Sequence, residues 1–335
     1  GRAAGGVGEP GVHPPAPPGC GGVWRGEPTL GAVSRRWARV LNSNHACAQT
    51  AKAALDLVAG RGHQPESFAA TLARTGQLEV LKWARNNGCP MHDELAICSS
   101  AAFGGQLEVL QWARGNGCPW DDYTTSSAAL GGQLNALQWA RANGCPWDQY
   151  TCHEAALGGH LHVLQWAHDN GCPWDESTCA HAARTGQLEV LKWARANGCP
   201  WDHDTCRNAA GGGHLELLKW ARANGCPWDP STCSNAALGG HLEVLQWARA
   251  NGCPWQEWTT SNAAFAGHLE VLKWARANGC PWDEVTCANA AQGGHLELLQ
   301  WARANGCPWD HMVLATEEGH QHVIEWAISN GCPAD

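Results

Sequence analysis

The sequence predicts an all-α fold, a solenoid of short helix-turn-helix units, and three observations carry that prediction. Ten tryptophans, Trp83, Trp112, Trp139, Trp166, Trp193, Trp220, Trp247, Trp274, Trp301 and Trp326, mark one unit copied along most of the chain. From Trp112 to Trp301 every interval is 27 residues, a regularity that signals stacked units contacting only their neighbours. Within the central units a turn ending in Gly, mostly Gly-Gly, and an Asn-Gly pair punctuate two stretches with apolar residues at helical spacing. The first interval is 29 and the last is 25, and irregular units at both ends are what caps look like.

Residues 1 to 28 are dominated by Gly, Pro and Ala. They bury too little apolar surface to offset the entropy of ordering, so a disordered leader is predicted. In residues 29 to 63, LGAVSRRWARVL places Val33, Trp37, Val40 and Leu41 at helical spacing, and HACAQTAKAALDLVAGRGHQP looks like a worn copy of the repeat that caps the array. Residues 64 to 335 form the array itself, in ten units. In the unit from Cys280 to Gly306, Asp283 is placed to cap a first helix, helix A, over Glu284 to Gln292, and Gly293 and Gly294 break it. Helix B follows from His295 to Asn305, with Glu297 early and Arg303 late, both signs matching the helix dipole. Asn305 and Gly306 end it in a left-handed cap, and Pro308 prevents its resumption.

Helix A has two faces of different character. Thr125, Ala128 and Ala129 lie at i, i+3 and i+4, and every central unit repeats Cys or Thr, Ala, Ala there, which predicts a buried face of small residues. On the other side the units differ. Tyr123, Ser126, Ser127 and Leu130 correspond to Tyr150, His153, Glu154 and Leu157, then to Ser177, Ala180, His181 and Arg184. Asp204, Arg207, Asn208 and Gly211 follow, and later Trp258, Ser261, Asn262 and Phe265. Drift accounts for such variation, and so does a fixed scaffold displaying a varied recognition strip. Candidate contact residues on this strip are Tyr123, Ser126, Ser127, Tyr150, His153, Glu154, Ser177, His181, Asp204, Arg207, Asn208 and Trp258.

The segments TCANAAQGGHLELLQWARANG, GGHLEVLQWARANG (Gly239 to Gly252) and TGQLEVLKWARANG (Thr185 to Gly198) resemble the ankyrin repeat. In that family a Thr-initiated helix ending in Ala-Ala is followed by a GHLEVV-type second helix and a terminal Gly. The resemblance covers residues 64 to 335. It departs from the family in its 27-residue period, against about 33, and in a shorter segment between CPWD and Thr, so β-hairpins are expected to be shortened or absent. What the resemblance implies is a nonenzymatic scaffold or adaptor for a protein or peptide, with the target left open. LGAVSRRWARVL is in addition similar to the last helix of an F-box, which keeps a ubiquitin-ligase substrate adaptor as the alternative.

Other classes are excluded on composition and spacing. A net charge of −9 without a Lys or Arg run beyond Arg35 and Arg36 argues against nucleic acid. Apolar stretches are interrupted in every unit, well short of the roughly 20 residues of a membrane span. There is no GxSxG, Walker loop, HExxH or dinucleotide fingerprint, and ten equivalent copies offer no unique catalytic constellation, so neither an enzyme nor a cofactor is expected. Sixteen of the 18 Cys fall in two repeat columns, and free packed thiols fit a reducing compartment, cytoplasmic or nuclear. A sequence opening on Gly1 leaves a targeting signal upstream undetermined. The array is expected to be monomeric.

Metal is the competing use of these residues, and a zinc-binding array is the third reading. Each unit supplies two Cys, whereas a zinc site needs four ligands within about 2.3 Å of one ion. Cys152, His153, Glu154, His160, His162 and His168 form the densest cluster and remain the best metal candidate, but the assignment is no metal. The recurring GGH histidine alternates with Gln77, Gln106, Gln133 and Gln187, so a polar group near a helix start is the shared property. The two Trp columns are expected to fill space between units, and Trp258, which breaks both, is the aromatic expected to be exposed.

Overall fold

The structure is a computed structural model, and it describes residues 68–86, 94–308 and 320–332. The chain divides into two compact units, Gly1–Ala59 and Gly60–Asp335, and all described residues belong to the second. The leader at 1–28 and the segment at 29–63, with its capping copy and F-box-like helix, therefore lie outside the described residues.

Nineteen helices and no strand are present among the described residues. The A helices are α1 (Phe68–Arg74), α3 (Glu94–Phe103), α5 (Asp122–Leu130), α7 (Gln149–Leu157), α9 (Glu176–Arg184), α11 (His203–Gly211), α13 (Pro230–Leu238), α15 (Glu257–Phe265) and α17 (Glu284–Gln292). The B helices are α2 (Leu78–Asn86), α4 (Leu107–Gly115), α6 (Leu134–Ala142), α8 (Leu161–Asp169), α10 (Leu188–Ala196), α12 (Leu215–Ala223), α14 (Leu242–Ala250), α16 (Leu269–Ala277), α18 (Leu296–Ala304) and α19 (Gln321–Ser329). Helix A of the unit from Cys280 to Gly306 ends where expected; helix B is one residue shorter at each end, with His295 and Asn305 as its flanking caps.

Each A helix packs on its own B helix and along the A helices before and after it, while B helices touch one another sparsely. Alanine makes this possible. Ala128, Ala129, Ala155 and Ala156 and their counterparts are fully buried, and small side chains let helix backbones approach closely. On each B helix an i, i+1, i+4 set such as Val163, Leu164 and Ala167 closes the core from the other side.

Loop chemistry fixes the spacing of the pair. The second Gly of the Gly-Gly turn has positive φ, as at Gly132 (φ 72) and Gly213 (φ 77), a conformation that side-chain-bearing residues adopt at a cost of about 1–2 kcal/mol. Cys145 Sγ donates to the Asp121 carbonyl at 3.2 Å, tying the end of helix B to the start of helix A, and Cys172 and Cys199 repeat the bond. Where Thr125 and Thr260 replace Cys in the helix A column, their hydroxyls donate to the Pro146 and Pro281 carbonyls at 3.0 and 2.9 Å. A hydroxyl and a thiol thus serve as interchangeable small buried groups there. Burial pushes the Cys145 and Cys280 thiols up to about 12, which keeps them protonated and poor ligands.

Among the described residues the tryptophans of the two repeat columns form a wall along the units, half-buried rather than enclosed. Arg114 stacks its guanidinium 4.0 Å over the Trp120 ring and donates to the Cys118 carbonyl at 2.6 Å. Trp120 in turn meets Trp139 of its own unit edge-on at 5.7 Å, so Arg114 of the preceding unit closes the step between units. Arg141, Arg195, Arg222, Arg249 and Arg276 stack on the following loop Trp in the same way. These arginines are used inside the array.

Candidate protein-binding surface

The exposed edge of the A helices begins at their caps. Asp121, Asp148, Asp175, Asp202 and Asp229 adopt extended backbone and accept from the N–H two residues on, as at Asp148 Oδ1 and Tyr150 N, 3.0 Å apart. Asp283 departs from expectation: it occupies the cap position, yet its side chain makes no capping bond and its Oδ1 is buried without a partner. Gln256 caps nothing either.

The residue capped by each Asp, the second of helix A, carries the strip outward. Tyr123 is 67% exposed, Tyr150 57% and Trp258 67%, and Val285 joins them in the same column. Ser177 and Asp204 hold that position in the units between and are half-buried. At the far end of the A helices Leu238 and Phe265 are exposed as well.

The middle of the strip is largely taken up by contacts between units. Ser126, Ser127 and His153 are buried, so their side chains are not offered to a ligand as expected from the sequence. An inner A helix has an A neighbour on each side and its own B helix beneath, which leaves a narrower free arc than helical periodicity alone suggests. Ser126 donates to the Tyr123 carbonyl at 3.1 Å. Asn208 reaches the Ala180 carbonyl one unit back at 3.3 Å, and Asn262 and Asn289 repeat that bond to Ser234 and Ser261. This bridging role was missed in the sequence, although the recurrent Asn-Ala-Ala was a visible signal. Glu154, His181, Arg207 and Asn208 are half-buried, and Arg207 Nη1 pairs with Asp204 Oδ1 at 3.2 Å.

One cluster is specific to the α7–α9 junction. His153 Nε2 donates to Asp175 Oδ1 at 2.6 Å, its ring stacks on His181 with centroids 5.2 Å apart, and Tyr150 meets it edge-on at 5.4 Å. Burial lowers the His153 pKa against the opposing pull of Asp175, and its Nδ1 is left buried without a partner. The Asp175 carboxyl is raised by burial, but the bonds from His153 and from Ser177 N–H outweigh this and hold it below the usual value.

The dense Cys/His group suggested by sequence does not converge. Cys152 is packed in the core, His160 bonds the Leu130 carbonyl, and His168 stacks on Trp174 at 4.0 Å. Among the described residues only Asp202, His203 and Asp204 bring three ligand-type atoms within 4.8 Å of one another, and Arg207 already faces that carboxylate group.

Charge is segregated between the helices. From α5 to α17 the A helices carry Arg184 and Arg207 and no Lys, whereas the arginines stacked on Trp and the lysines paired with Glu all sit on B helices. The start of each A helix brings one or two carboxylates to the exposed edge. At the α5–α7 step burial, with the nearby Asp122 carboxylate adding to it, raises Asp148 above its usual value, against the N–H of Tyr150.

No family model and no curated protein matches the chain. Among solved structures, the chain is similar to the crystal structure of the human ASB11 ankyrin repeat domain, at 18% sequence identity and a TM-score of 0.39, over 47% of this chain and 84% of that one.

Proposed function

We propose that this chain is a nonenzymatic scaffold that binds a protein or peptide along the exposed ends of its A helices. The observation that carries this reading is the column Tyr123, Tyr150, Trp258 and Val285: large side chains held out from a framework whose core positions repeat from unit to unit. Exposed aromatics on a rigid support lose little conformational entropy on binding, which suits them as contact residues. The repeated stack supplies the rigidity, because each A helix from α3 to α15 is held by three neighbouring helices.

The test is affinity capture with mass spectrometry, comparing the native chain with a variant carrying Tyr123→Ala, Tyr150→Ala, Arg207→Ala and Trp258→Ala. All four positions lie on the strip, and the variant is expected to keep the helical circular dichroism of the native protein. Partners held by the native chain and lost from the folded variant support the reading. Identical captures by the two would move the contact face to the loops or to residues 1–63.

A further inference from the structure

We propose, building on the scaffold reading, that the face formed by the starts of α5 and α7 takes a cationic peptide segment, with Lys or Arg side chains seated against Tyr123 and Tyr150 and facing Asp122 and Asp148. Both tyrosines occupy the same position of consecutive A helices and are more than half exposed. Neither helix contains a Lys or Arg, and no ion pair among the described residues involves Asp121, Asp122 or Asp148.

Two carboxylates held side by side without a cation repel each other, and that cost is relieved by a positive charge placed between them. Elsewhere on the same edge Asp204 has the Arg207 guanidinium, and Asp175 accepts a hydrogen bond from His153, whose pKa burial lowers. At Asp122 and Asp148 the unit has Ser126 and Ser127 or Glu154 instead, so the charge is left unbalanced. A phenol ring face attracts a guanidinium or ammonium group, which makes the tyrosines and the carboxylates complementary to one kind of side chain. His153 and Tyr150 meet edge to face with centroids 5.4 Å apart, and His153 keeps an unpartnered buried Nδ1.

The probe is a fluorescein-labelled peptide of alternating Lys and Arg, read by fluorescence anisotropy on the full chain, with a Glu-rich peptide of equal length as the contrast. Asp122→Asn with Asp148→Asn is expected to weaken binding about tenfold, as for the loss of two exposed charge contacts. Asn also caps helices, so α7 keeps its start. Tyr123→Ala with Tyr150→Ala is expected to weaken it about fivefold. Glu243→Gln with Glu297→Gln removes the same charge from exposed B-helix positions and is expected to leave affinity within about twofold. Equal losses from the B-helix pair and the Asp pair, no loss from the Asp pair, or no preference for the cationic probe would overturn the proposal. If partners in the capture experiment depend on the strip while this probe ignores Asp122 and Asp148, the scaffold reading stands and the cationic one is removed.

Discussion

His160 Nε2 donates to the Leu130 carbonyl oxygen at 3.0 Å, thirty residues earlier and one unit back. Leu130 is the last residue of α5, where helical carbonyls lack a partner, so the imidazole completes the helix end of the preceding unit. His241 does the same to Gly211 at 3.1 Å and His295 to Phe265 at 3.0 Å. Where Gln187 replaces the histidine, the Thr185 hydroxyl donates to the Leu157 carbonyl at 2.8 Å instead. His241→Ala is therefore expected to cost about 1 kcal/mol at the junction of α11 and α13. Hydrogen exchange should accelerate in α11 to α14 and stay unchanged in α4, because units couple only to neighbours. Uniform acceleration along the chain would count against this bond as a local tie.

Gly213 and Gly225 separate two reasons for a glycine. Both have positive φ, 77 and 85, but a Cβ at Gly213 would lie 2.6 Å from the His241 ring, whereas one at Gly225 would meet nothing within 4 Å. Gly225→Ala is expected to cost about 1–2 kcal/mol, from backbone conformation alone. Gly213→Ala adds a clash within a packed interface and is expected to cost roughly 1–3 kcal/mol more. Urea denaturation of the two variants measures the difference; equal midpoints would mean that the ring gives way without cost.

The helix pair was legible because its signals are local and repeated. Gln292 before Gly293, and Gly306 with Pro308 beyond it, bound elements that the structure places within one residue of expectation. The exposed strip of the A helices was legible only in part. Tyr123, Tyr150 and Trp258 stand exposed, but periodicity on one helix cannot show that a second A helix covers Ser126, Ser127 and His153. Contacts to the next unit, such as His153 with Asp175 or Asp122 beside Asp148, join residues 22 or more apart and depend on the stacking offset. No spacing rule within a unit contains that offset.

The His153–Asp175 pair should make stability depend on pH in a definite direction. Burial holds the folded His153 pKa below 6.5, so under mildly acidic conditions the unfolded chain binds a proton that the folded chain does not. Its contribution is complete above pH 6.5 and is lost as pH falls below that value. Asp175, held below 3.8, adds a second loss at lower pH still. The groups facing His153 are Asp175, His181, Tyr150 and, at longer range, Asp148. Thermal melts of the native chain and of His153→Gln at about pH 7.5 and about pH 5.5 bracket the histidine range. The native midpoint is expected to fall more than that of the variant; an equal fall would assign the loss to other histidines.

Trp258 and Trp247 should answer substitution in opposite ways. Trp247 lies on α14, half-buried, edge-on to Trp228 at 5.9 Å, and its carbonyl accepts from the Asn251 side chain at 2.8 Å. Trp258 stands on α15 with 67% of its surface exposed. Trp247→Ala opens a gap in the wall between units and is expected to cost about 2–3 kcal/mol, less than the loss of a fully buried Trp. Trp258→Ala removes little packing and is expected to stay within about 0.5 kcal/mol of the native chain. Its effect belongs to binding: exposed Trp anchors in interfaces commonly contribute about 2 kcal/mol, so a partner of the strip near α15 should be lost from the folded variant. Denaturation midpoints and partner capture on the same two preparations separate the roles. A destabilised Trp258→Ala would place that ring in the fold and take it off the recognition surface.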